Sequence, residues 1–181
     1  MTLGSVCRFS GGSQPPKDDF VYDPKKDYIR LIQIRDFKTD NFKTYVKKDS
    51  VTKFFESDDV MIARYGPPVF QILRGLSGAY NVALMKAIPD EKKIIKNYLF
   101  YYLQNPKIQR FVIANSQRSA GQSGVNTDLL NTYQIGLPSM DLQNQIVEQM
   151  DSRLLSIRAV EGLEIEAENN INEILQSIWQ E

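Results

Sequence analysis

The last forty residues most constrain what this chain can fold into. No proline follows Pro138, and Ile146, Met150, Leu154, Ile157, Val160 and Leu163 step by three or four residues. Ala167, Ile171, Ile174 and Ile178 continue the series. That spacing is the period of an α-helix carrying one apolar stripe. Asp141, just after Pro138, is expected as its N-cap, and Gly162 is its weak point, where a local bend is expected. At about 1.5 Å per residue, forty residues span roughly 60 Å. Such a rod exposes a continuous stripe unless another helix covers it. The seam Ile146, Met150, Leu154, Ile157, Ala167, Ile171, Ile174 and Ile178 is therefore expected to pair with a second helix, as in a coiled coil. The competing arrangement is a helix folded back on its own domain; length and acidity favour the two-helix seam.

Charge separates the same segment from the rest. The chain has 181 residues and a formal net charge of zero. Residues 142–181 hold two basic and eight acidic residues, a net of −6, and the other 141 hold twenty basic and fourteen acidic, a net of +6. An asymmetry of this kind points to an anionic partner for one part only. Hydrophobic residues make up 42% of the chain and aromatics 10%, enough for a packed core. Domain boundaries are expected at 1–138 for a globular unit and 139–181 for the helix.

Several chemistries are excluded by what the sequence lacks. It contains no histidine, which removes Ser-His and Cys-His dyads and the commonest metal ligand. Cys7 is the sole cysteine, so neither an internal disulfide nor a structural zinc site is expected. No Gly-x-x-x-x-Gly-Lys-Ser/Thr loop or Gly-x-Gly-x-x-Gly fingerprint occurs. Tyr65-Gly-Pro-Pro68 looks superficially like an amino-methyltransferase motif but lacks the Asn or Asp that would hold the target amine. Pro89-Asp-Glu-Lys-Lys93 has the letters of a metal-dependent nuclease motif, yet its acid and Glu-x-Lys unit are adjacent rather than on separate strands, and it reads as a solvated turn. With no membrane-length apolar run and no signal-peptide pattern, a soluble, cytoplasmic, non-catalytic protein without cofactor or metal is expected.

The globular part reads as mixed α+β, strands first and helices inserted before a last strand. Strands are expected over Tyr28–Ile34, Asp59–Ala63, Val69–Leu73, Tyr80–Met85 and Tyr133–Leu137. Helical spacing runs from Lys92 through Leu103, and Pro106 opens a second helix. Asn126-Thr-Asp128 is expected to cap a short helical turn. Ser10–Pro16 and Asn115–Gly124 read as polar loops.

The loops, strands and strand ends carry groups suited to DNA. Arg pairs bidentately with guanine, and Asn or Gln with adenine. Arg64, Tyr65, Arg74, Tyr80, Arg118, Gln122 and Ser123 are the candidates for base edges or their neighbours, and Lys17, Arg30 and Arg35 for phosphates.

Six short pieces, in order, carry a resemblance. They are Leu3–Cys7 with Ser10–Pro15, Tyr28–Asp36, Asp58–Gly66, Asn81–Leu84, Tyr98–Leu103, and Leu137-Pro138 through Gln143 and Ile146. The chain resembles a target-recognition domain, with its following helix, from the specificity subunit of type I restriction–modification enzymes. The resemblance implies a sequence-specific reader of one half of a bipartite double-stranded DNA target. It implies that the helix spaces this reader from a second one and docks modification (methyltransferase) subunits, and a restriction subunit where the system has one. A full specificity subunit has two such domains and two helices, and this chain has one of each. It is expected to be a half-subunit, a truncation or a fragment; a natural half, paired through its helix into a homodimer, is expected to read an interrupted palindrome. The alternative is a coiled-coil protein-interaction adaptor without DNA specificity.

Overall fold

Two four-stranded sheets built around one apolar seam organise the first unit of this computed structural model, which describes residues 1–119 and 122–178 and, within the hairpin at 117–123, the backbone alone. The chain divides into two compact units, Met1–Met140 and Asp141–Glu181.

The first sheet contains β1 (Cys7–Gly11), β5 (Val60–Ala63), β6 (Ile72–Leu73) and β8 (Leu84–Pro89), in the order β1-β8-β5-β6 and antiparallel throughout. The second contains β2 (Tyr28–Ile32), β3 (Tyr45–Lys47), β4 (Phe54–Phe55) and β7 (Gly78–Tyr80), in the order β3-β2-β7-β4. Its β2–β7 pair is parallel. Leu31 and Ile32 are adjacent, point to opposite faces, and are both fully buried. Ile32 joins Phe55, Met61, Tyr80 and Leu84 between the sheets, while Leu31 joins Val46, Val51 and Ala79 on the far side. Burial on both faces is why this strand reads as a continuous apolar run.

The helices are α1 (Lys96–Leu103), α2 (Pro106–Ala114), α3 (Thr127–Thr132) and α4 (Met140–Ile178). α1 packs on β5 and β8 through the buried Leu99 and Leu103. Asn105 caps α2 by accepting from the Lys107 amide, with Pro106 in the first turn. Asn126 caps α3 by accepting from the Leu129 amide. β9 (Gln117–Ser119) and β10 (Gln122–Gly124) pair as an antiparallel hairpin inside the segment read as a polar loop.

Several sequence expectations change. The second strand stops at Ile32 because Asp36 turns the chain back: its carboxylate accepts from the Gln33 amide at 2.7 Å and closes a capping box over the 3-10 turn Ile34–Phe37. Tyr80–Met85 is two strands joined by a turn, with Asn81 Oδ1 accepting from the Ala83 amide at 3.1 Å. The expected strand over Val69–Leu73 shrinks to Ile72–Leu73, since Phe70 has φ +65°. The opening segment is a 3-10 turn, Leu3–Ser5, before β1. Tyr133–Leu137 makes one isolated bridge, Gln134 with Thr2, rather than a strand. The first helix begins at Lys96, with Ile95 outside it as N-cap.

α4 has 39 residues and runs through Gly162 without interruption. It starts at Met140, so Asp141 lies inside its first turn, where a carboxylate complements the helix dipole, rather than at the cap. Among the described residues, Ile157, Val160, Leu163, Ile171, Ile174 and Ile178 are exposed, and so are Leu155, Ile165 and Leu175. Among the described residues, no helix is long and apolar enough to cross a membrane.

Candidate functional site

Register brings the ends of several strands together. Ala63, the last residue of β5, pairs with Leu84, the first of β8, and Gly11 at the end of β1 pairs with Met85. The amide of Asn81, just after β7, donates to Ile32 at the end of β2. One end of the two sheets therefore carries the Gly12–Gln14 loop, the segment after Ile32, the Arg64–Tyr65 loop and the Asn81–Ala83 turn.

Arg64 is at the centre of this end. Its backbone is clamped on both sides: its amide donates to Ala83 at 2.8 Å, and its carbonyl accepts from Val125 at 2.9 Å. The half-buried side chain passes over Gly11, where an added Cβ would stand 3.6 Å from Nη1. Nη1 donates to the Val82 carbonyl at 3.5 Å, a long bond that an incoming acceptor can replace. The guanidinium carbon stands 5.5 Å from the Tyr65 ring centroid. Two buried polar atoms at this end, Arg64 Nε and Ser13 Oγ, have no hydrogen-bond partner among the described residues. Buried donors without partners are rare in folded proteins.

Two glycines let the backbone close around Arg64. At Gly12 a Cβ would lie 2.1 Å from the Asn81 carbonyl oxygen, so the β1 loop docks on the Asn81 turn only without a side chain. Gly124 bridges to Tyr65, and a Cβ there would come within 3.0 Å of the tyrosine ring. That bridge ties the β9–β10 hairpin to the Arg64 loop. Arg118 pairs in register with Ser123, and Ser119 with Gln122. Three of the sequence candidates, Arg118, Gln122 and Ser123, thus sit on a hairpin joined to Arg64 and Tyr65, though their side chains lie outside the described set. Gly121, from the glycine-rich stretch, also lies outside the described residues.

Other candidates are placed elsewhere. Tyr80 is only 2% exposed: its hydroxyl donates to the Ser10 carbonyl at 3.2 Å and its ring meets Phe55 edge-on. Burial pushes that hydroxyl above its ordinary pKa. A residue so enclosed holds the β1 loop and has no edge left for a base. Arg74 is half-buried, with its guanidinium carbon 3.8 Å from the centroid of Phe100 and Nη1 bonded to Asn97 Oδ1 at 3.3 Å, so it anchors α1. Arg30 is committed to Asp36 at 3.1 Å and Asp40 at 2.8 Å. Burial opposes its charge, but the two carboxylates outweigh burial and hold its pKa above the ordinary value. Its work is to brace the loop after β2. Lys17 and Arg35 are exposed.

Sequence reasoning noted Asn81 beside Tyr80 at the start of an expected strand but missed that it opens the Asn81–Ala83 turn. It also missed Tyr22 and Phe42, aromatics 70% and 58% exposed.

The comparisons with known proteins agree with this fold. The sequence model of the family described as type I restriction modification DNA specificity domain matches residues 1–169. Among solved structures, a chain from work on the structural basis of complex assembly and conformational transition of the type I R-M system aligns over 98% of this chain. The TM-score is 0.73 and the identity 20%. The HsdS subunit from Thermoanaerobacter tengcongensis aligns over 90% with TM-score 0.66 and 18% identity. The type I restriction–modification S subunit from M. genitalium aligns over 99% with TM-score 0.62 and 13% identity. The chain covers 43%, 38% and 46% of those three chains, less than half of each. No curated protein matches the sequence.

Proposed function

From the premise that the chain belongs to the type I restriction modification DNA specificity family, we propose that it reads DNA sequence on behalf of enzyme subunits it does not itself contain. The observation that carries this reading is the convergence at one end of the first unit. Arg64, Tyr65 and the hairpin with Arg118, Gln122 and Ser123 form one backbone-linked group. Such residue types supply direct readout: a guanidinium for guanine, an amide for adenine, hydroxyls for either. The domain supplies no histidine for acid–base work, consistent with a subunit that positions chemistry rather than performing it.

The chain spans less than half the length of the structures it matches. In this reading residues 1–138 recognise one half of a split target, and residues 139–181 space that reader and dock a methyltransferase subunit. Two copies joined along α4 read two inverted halves. The adaptor reading is not favoured, because the family match extends through the globular unit as well as most of the helix.

The test is selection of randomised duplexes by the full chain, with sequencing of what is retained. Two short inverted blocks at constant spacing are expected. Arg64→Ala should relax preference at one position of each block, at about 1–3 kcal/mol. A retained pool without sequence enrichment sinks the reading.

A further inference from the structure

The chain after β2 forms a second surface at the same end of the sheets. Gln33 follows the strand end that accepts from Asn81, and the chain returns at Tyr45, which pairs with Arg30. Val21 bridges to Tyr45 and brings Tyr22 to the same place. Tyr22, Arg35, Asp40, Asn41, Phe42 and Lys43 line an open cleft of about 520 Å³.

Two features of this cleft need a common explanation. Its rings are exposed, Tyr22 at 70% and Phe42 at 58%, in a unit that buries most of its large apolar groups. Its positive charge comes from one wall: residues 17–27 around Tyr22 carry three basic residues and four acidic ones, and residues 33–48 carry five basic residues and two acidic ones. The latter two acids are already engaged, Asp36 by Arg30 and Asp40 by Arg30 and Lys43. Asp40, its pKa lowered mainly by the bond from Arg30, stays ionised and holds Lys43 in place. Arg35 lies over the Phe42 ring at 5.5 Å and is itself exposed. An occupant that uses both features carries an anionic group for Arg35 and Lys43 and apolar faces for the two rings. A sugar–phosphate backbone does both, since deoxyribose faces alternate with phosphates. An acidic protein segment supplies the charge without that regular alternation.

We propose that the Tyr22–Arg35–Phe42–Lys43 cleft grips the DNA backbone beside the bases read around Arg64, fixing register without reading sequence. This inference rests on the DNA-reading function proposed above.

The full chain is titrated with two labelled duplexes, one recovered by selection and one scrambled, over a range of salt. Arg35→Ala/Lys43→Ala is expected to weaken both duplexes by the same factor. It should flatten the salt dependence by about 2 in slope, near 0.9 for each phosphate no longer neutralised. Tyr22→Ala/Phe42→Ala should also weaken both equally but leave the slope unchanged. Arg35→Lys/Lys43→Arg should restore the slope, and matched unfolding midpoints separate these effects from misfolding. Wild-type affinity and slope in both alanine pairs, with Arg64→Ala still altering preference, would overturn the cleft while leaving the reader intact. Absence of salt-sensitive duplex binding by the wild-type chain overturns both.

Discussion

Asp59 stands at the start of β5 between two lysines. Its carboxylate accepts from the Glu56 amide at 2.8 Å and from Lys86, and Lys96 lies 3.4 Å away while also pairing with Asp58 at 2.8 Å. Burial raises the Asp59 pKa, but the amide and Lys86 outweigh it, so the net pKa lies below the ordinary carboxylate value. A depressed folded pKa contributes stability that is present above the unfolded value, about 4, and lost as pH falls through the folded one. Asp59→Asn is therefore expected to cost about 1–3 kcal/mol at neutral pH, by leaving Lys86 without its charged partner. It should also flatten the loss of stability below pH 4. Urea unfolding of both proteins at pH 7 and pH 3 checks this; equal sensitivity to acid would remove Asp59 from the account. At this scale the sequence locates arginines and does not show what they bond to. Arg64, Arg74 and Arg30 look alike as letters in or beside strands. One faces the site, one is stacked on Phe100, and one is held by two aspartates. The difference lies in neighbours remote in sequence.

Local chemistry made some elements legible and hid others. The start of α2 was readable because its devices are adjacent: Asn105 caps, Pro106 follows, and Ile108 and Val112 form the buried stripe. Asn105→Ala should destabilise the protein by about 0.5–2 kcal/mol, measured by thermal or urea unfolding, with Asn105→Gly milder. An unchanged midpoint would mean that the cap bond is replaced by solvent. β7 and β8 were less legible. Tyr80–Met85 alternates like one strand, yet Asn81 bonds forward to Ala83 and turns the chain between two different sheets. Side-chain capping of this kind competes with sheet pairing, and which one wins depends on whether partners wait on either side. Here Ile32 receives the Asn81 amide and Ala83 receives that of Arg64.

The whole molecule joins two units of opposite formal charge, so the first unit is net positive within a chain of zero net charge. The acidic helix presents exposed Ile171 and Ile174 together with half-buried Leu154. If these residues form the seam, Leu154→Asp or Ile171→Asp should convert a dimer to a monomer, read as a halved mass by light scattering, with the strand signal of the first unit retained. Unchanged mass would exclude self-pairing along this stripe. By itself the sequence determined the long helix, the α+β class and the family resemblance, because periodicity, caps and ordered motifs are carried by residues near one another in the chain. Tertiary structure alone decided that Tyr80 is enclosed, that Arg30 is braced, and that Arg64 meets the hairpin and the Asn81 turn. Those outcomes depend on strand register and on burial by residues brought together from separate parts of the chain, and neither can be read from a local window.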